Sequence, residues 1–170
     1  MTIALSQIKQ ALKVDYTADD AELIRIRDAV VDLIEDYTGL SINSKKRTQY
    51  LEYWMKTRLD TYPLISIDSV KYYDTSNTLT TMESWFIIRK DYPSIFINFS
   101  ELPSLFANSE IQVTYTTGYV QLPHHIEQAV IALVGHWYNQ PEAGAPITLS
   151  TVPLSAQFIL DNIRIKGVLE

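Results

Sequence analysis

The spacing of apolar residues changes its period twice along this chain, and that switch limits the folds open to it. Leu23, Ile26, Val30, Leu33, Ile34 and Tyr37 recur every three or four residues and fall on one face of a helix. From about Ile42 to Thr117 the pattern becomes short aromatic and β-branched runs divided by turn residues. From Pro123 the helical period returns. A β block between helical ends forces the ends to pack on each other or on the block, because neither can hide its apolar face alone.

Local signals place the boundaries. Ser6–Leu12 reads as a short helix with Ser6 as N-cap and Ile8, Ala11 and Leu12 on its apolar side. Val14–Thr17 reads as a turn, and Asp19 or Asp20 caps the long helix, which runs to about Tyr37. Gly39 suits the left-handed position that follows a helix. Expected strands are Arg47–Trp54, Ile65–Tyr73, Trp85–Arg89, Ser94–Phe99 and Glu110–Thr117. Asp74–Asn77 reads as a hairpin turn and Tyr92-Pro93 as a break. Gly118-Tyr119 closes the block, and Pro123 sits in the first turn of a helix that runs to about Asn139 and stops before Pro141. After a loop from Gln140 to Val152 come a last helix, about Ser155–Asn162, and a tail, Arg164–Glu170. The expected class is α+β: a small bundle, with the long N-terminal helix packed on the C-terminal helices, and an inserted antiparallel β block. No linker divides it, so residues 1–170 are read as one domain with a β insertion at about 42–117.

Composition removes several function classes. With 46% hydrophobic and 20% charged residues a core of ordinary size is available. There is no cysteine, so no thiol nucleophile, disulfide or Cys-ligated zinc. Met1–Val14 lacks the pattern of a signal peptide, and Ile126–Trp137 falls short of the roughly 20 apolar residues a membrane span needs, so a soluble chain is expected. The formal net charge is −6, whereas a protein that grips DNA needs a concentrated basic face. A surface past which DNA slides would favour negative charge instead.

Chemistry has little foothold. His125 and His136 lie on one side of a helix but about 16 Å apart, too far for one metal ion, and the adjacent His124 points elsewhere. Asp28, Asp32, Glu35 and Asp36 form an acidic stripe opposite the apolar face of the long helix. It reads as a solvated face; a metal-dependent hydrolase would need Asp28 and Asp32 to converge with a third ligand. Lys45, Lys46 and Arg47 form the one basic cluster. The tyrosines and tryptophans, among them Tyr50, Tyr53, Trp54, Tyr72, Tyr73, Trp85 and Tyr92, suit a core, a subunit contact or a carbohydrate- or peptide-binding groove. No P-loop, nucleophile elbow or dinucleotide fingerprint is present. No catalytic, cofactor-binding or metal residue is assigned, and no cofactor. The helix from Pro123 carries Ile126, Val130, Leu133, Val134 and Trp137 on one side, with Ala129, Ile131, Ala132 and Gly135 around the rest. So broad an apolar surface needs cover from the β block or a neighbouring subunit, which makes Ile131, Val134, Trp137 and Tyr138 core or interface candidates. In a ring, Asp28, Asp32 and Glu35 would face a channel or a basic neighbour.

Taken in order, the motifs carry a resemblance. They are Leu12-Lys13-Val14-Asp15, Asp19-Asp20, Ile34-Glu35-Asp36-Tyr37-Thr38-Gly39, Val113-Thr114-Tyr115-Thr116-Thr117-Gly118-Tyr119, Leu122-Pro123-His124-His125-Ile126-Glu127-Gln128-Ala129-Val130, His136-Trp137-Tyr138-Asn139 and Val152-Pro153. The succession resembles the head–tail connector, or adaptor, family of long-tailed bacteriophages, and covers nearly the whole chain. It departs at Gln140-Pro141, where such proteins usually carry an arginine, and in its long β block. The resemblance implies a non-enzymatic virion protein of the neck, made in the host cytoplasm. It would be a subunit of a homo-oligomeric ring, usually of twelve, that docks under the portal protein. The ring would extend the channel for DNA passing without sequence-specific binding, and would seat the next neck (stopper) or tail-completion protein. No membrane partner is implied. By position, Arg164, Ile165, Lys166, Val168 and Leu169 would form the portal-docking tail.

Overall fold

A computed structural model describes residues 3–83, 86–91, 94–99, 102–139 and 153–165. The chain divides into two compact units, residues 1–42 with 121–170, and residues 43–120. The class is α+β, as the switch of period requires.

The helical unit holds α1 (Leu5–Leu12), α2 (Asp20–Thr38), α3 (His124–Asn139) and α4 (Leu154–Ile163). Helix α1 begins one residue before Ser6, because the Gln7 side chain reaches back to accept the Ala4 N–H at 3.1 Å and caps the first turn from inside. Lys13 ends α1 in the left-handed conformation, φ 58°. Asp19 precedes α2 but makes no capping bond with its carboxylate, and Gly39 closes the helix at φ 73°. Leu23, Ile26, Val30, Val31 and Ile34 of α2 are buried, and Leu33 and Tyr37 are half-buried. Helix α3 buries Ile126, Ala129, Val130, Leu133, Val134 and Gly135. Its small residues take other helices: α3 packs on α1, α2 and α4. Part of the cover its apolar surface needs comes from within the bundle, and Ile131 and Trp137 stay half-buried. At Gly135 a Cβ would come within 2.8 Å of the Leu12 Cδ2 on α1, so the glycine sets how closely the two helices approach. Helix α4 turns Ala156 and Leu160 inward.

The β unit is a small two-sheet sandwich. Strands β1 (Lys45–Leu51), β3 (Leu64–Tyr73), β4 (Leu79–Met82) and β7 (Ile111–Thr117) form one sheet in the order β1-β7-β3-β4. Strands β2 (Thr57–Arg58), β5 (Phe86–Asp91) and β6 (Ser94–Phe99) form the other, in the order β2-β6-β5. All pairings are antiparallel. Central β7 alternates strictly, with Ile111, Val113, Tyr115 and Thr117 buried. These side chains, apart from Thr117, meet Leu51, Leu64, Val70 and Met82 of their own sheet, Ile97 and Phe99 of the other, and Leu59 in one apolar core. Of the five expected strands, Ser94–Phe99 is found with those bounds, Arg47–Trp54, Ile65–Tyr73 and Glu110–Thr117 are found with shifted ends, and the third is paired over Phe86–Asp91; β2 and β4 are additional. The Asp74–Asn77 turn forms as expected: the Asp74 carboxylate accepts the N–H groups of Ser76 (2.8 Å) and Thr78 (3.0 Å). The backbone bond from Thr78 first, and then Ser76, hold that carboxylate below its ordinary pKa against the opposing effect of desolvation. Trp85, the Tyr92-Pro93 break, the Gln140–Val152 loop with Pro141, and Lys166, Val168 and Leu169 lie outside the described residues.

Candidate functional site

The acidic stripe does not converge. Asp28, Asp32 and Asp36 are exposed along α2, and Asp28 pairs with the adjacent Arg27 at 2.8 Å. Glu35 is half-buried and accepts the Ile42 N–H at 2.7 Å, which ties down the chain as it leaves the helix. Among the described residues no group of three or more His, Asp or Glu is placed to hold a metal ion. His124 and His125 are exposed at the start of α3, with His124 3.3 Å from Glu127, and His136 is half-buried. No described helix is long and apolar enough to cross a membrane.

Of the interface candidates, Val134 is wholly buried within the helical unit, while Ile131, Trp137 and Tyr138 are half-buried. Tyr138 has a definite task. Its hydroxyl donates to Asp19 and accepts from Tyr16 at 3.0 Å, while Lys9 reaches the Tyr16 carbonyl (2.7 Å) and Asp20 (2.6 Å). The bond to Asp19 and then that to Tyr16 push the Tyr138 phenol well above the usual range. The Asp19 carboxylate is thus used to hold the end of α3, which explains why it leaves α2 uncapped.

The start of the expected docking tail is also held. The Tyr37 hydroxyl donates to Asp161, the Arg164 guanidinium lies 5.0 Å from the Tyr37 ring centroid, and the Ile165 N–H bonds the Thr38 carbonyl at 2.9 Å. Ile165 itself is only 5% exposed. Arg164 and Ile165 therefore belong to the helical unit.

Two exposed apolar surfaces escaped the sequence reading. On α4, Leu154 and Phe158 are 83% and 71% exposed, four residues apart on the face opposite Ala156 and Leu160. Starting that helix at Ser155 hides the pair. On the β unit, Tyr53, Met55, Leu102 and Phe106 are exposed, and Tyr53 and Phe106 line open clefts of about 480 and 470 Å³. The clefts share Phe106, Asn108, Ser109 and Glu110, and Glu52 and Tyr53 line the first. Trp54 is not available there: it stacks edge-on against Tyr72 and Phe99 and donates to the Pro103 carbonyl at 2.8 Å. Tyr50 is exposed on β1, and Tyr72 and Tyr73 are half-buried.

Residues 2–151 match the head completion protein family, and the chain belongs to that family. The head–tail reading of the ordered motifs is thereby met at the level of the family. In fold the chain is similar to a chain in the neck of an empty gene transfer agent (GTA) particle computed with C6 symmetry. That match has a TM-score of 0.78 and 19% identity, over 99% of this chain and 92% of the other. It is also similar to chains in the virion of a native gene transfer agent particle and in the neck of a native GTA particle computed with C12 symmetry. For these the TM-scores are 0.76 and 0.72, the identities 18% and 20%, covering 98% and 97% of this chain and 93% and 90% of the others. No curated protein matches the sequence.

Proposed function

We propose that this chain is a non-enzymatic structural subunit of the neck of a phage-like particle, one member of a ring between head and tail. The match of residues 2–151 to head completion proteins carries the reading. The likeness of nearly the whole fold to neck chains supports it. In this role the ring, of twelve copies by the family resemblance, docks under the portal, extends the DNA channel and seats the next neck or tail-completion protein. The distribution of charge suits a channel wall. The helical unit carries twelve acidic and six basic residues, a net of −6, whereas the β unit carries eight of each. The exposed side of α2 with Asp28, Asp32 and Asp36 would repel a passing duplex instead of holding it.

For the portal contact, Arg164 and Ile165 are held in the helical unit, Lys166, Val168 and Leu169 follow them in sequence, and the exposed Leu154 and Phe158 of α4 are further anchor candidates. Light scattering of the purified chain, alone and mixed with a portal ring, tests the reading. A multi-subunit mass in either sample is the expected result; a monomer that ignores the portal would remove the docking role.

A further inference from the structure

We propose that the two ends of strand β1 form the two halves of one contact between successive copies of this chain. The basic end, with Arg47 in the lead and Lys46 on the other face of the strand, would seat on the next copy's acidic aromatic cleft of Glu52, Tyr53, Phe106 and Glu110. This rests on the ring reading above and names the surface through which the ring closes.

Strand β1 begins with Lys45-Lys46-Arg47 and is followed directly by Glu52 and Tyr53. Its partner β7 runs the opposite way, so Glu110 stands next to Ile111, the residue opposite Leu51. At about 3.3 Å per residue, some 20 Å separate Lys46 from Glu52 within one folded unit. The acidic end is short of counter-charge, and the basic end has a cation to spare in Arg47. Among the described residues no carboxylate lies in ion-pair range of Arg47, and no cation lies in range of Glu52 or Glu110. The Lys46 side chain is 68% exposed and only 3.6 Å from Asp68, whose oxygens already accept from Ser66 (2.8 Å) and Thr116 (2.9 Å). Near the other end, Lys56 lies over the Phe96 ring at 4.4 Å and pairs with neither glutamate.

The cleft offers what a guanidinium takes: carboxylates beside an exposed aromatic face, with Tyr53 68% and Phe106 40% exposed. A second copy fits better than another occupant. The β unit is neutral overall, so it has no long-range field to draw in a charged partner, yet its two ends complement each other. Three cations fall short of the phosphate contacts that hold a DNA-binding protein. Two unlike and complementary patches on one chain are what a head-to-tail contact joins.

The test is a charge swap. Lys46→Glu with Arg47→Glu, Glu52→Arg with Glu110→Arg, and the chain with all four changes are assembled into particles, and the copies retained per neck are counted. Each reversed pair is expected to lower retention by about tenfold, and the fourfold variant to recover most of it. Thermal melting of each purified variant verifies the fold, and Glu52→Gln with Glu110→Gln replaces any variant that fails it. Retention at the wild-type level in either reversed pair would overturn the contact. So would a folded fourfold variant that stays as depleted as the pairs. A wild-type neck with a single copy of the chain would instead remove the ring itself, a different failure.

Discussion

At Gly118 the backbone lies at φ +115°, and a Cβ would meet the Asn43 carbonyl oxygen at 2.5 Å and the Ser44 Cα at 2.8 Å. Backbone cannot step aside as a side chain can, so Gly118→Ala is expected to destabilise the protein by about 3 kcal/mol. Gly135 is crowded by a single atom, the far end of the Leu12 side chain, at 2.8 Å. There the gain in helix propensity offsets the shift of Leu12, and Gly135→Ala should stay within about 1 kcal/mol of wild type. Urea unfolding of both variants checks the contrast. Single residues were also where sequence patterns misled. Glu35 reads as one more charge on a solvated stripe, yet it binds the Ile42 N–H seven residues on. Ile165 reads as part of a docking tail; it is buried, and its N–H bonds the carbonyl of Thr38 at the end of α2. Both roles depend on where the chain turns after a helix, which side-chain periodicity does not encode.

Helix α4 shows the division of labour within an element. Leu160 is 1% exposed and faces the bundle, so Leu160→Ala should cost about 3 kcal/mol. Phe158 points outward, and Phe158→Ser should leave stability within about 0.5 kcal/mol. Paired denaturation curves decide this; a large loss at Phe158 would mean that the face is covered within the chain. The four helices and the longer strands were legible because each carries enough residues to display its period. Strand β4, Leu-Thr-Thr-Met, is too short to alternate visibly, and β2 has two residues. The sorting of strands into two sheets was not legible at all. Pairing such as Thr48 with Thr114 joins positions 66 apart, and only tertiary packing selects it.

For the whole molecule the uneven charge has a direct consequence. With all of the net −6 on the helical unit and a neutral β unit, the chain should leave duplex DNA unshifted at micromolar concentration and physiological salt. Gel shift or fluorescence anisotropy measures this. Binding that weakens steeply with salt would turn attention to Lys45, Lys46 and Arg47. Assembly role was readable from the order of motifs along the chain, and the match across residues 2–151 agrees with it. The surfaces that would carry the role were not, since exposure of Leu154, Phe158 or Tyr53 is a property of the folded chain.

The register of the outer β1 and central β7 strands has one more consequence. Lys45, near the start of the β unit, lies opposite Thr117, near its end. The chain thus leaves and rejoins the helical unit through two adjacent strands, about 5 Å apart. A module attached at two neighbouring points behaves as a cassette: it can lengthen, shrink or be exchanged during descent without restringing the helices on either side. Lineages sharing these helices could then diversify what they grasp by trading a single insert.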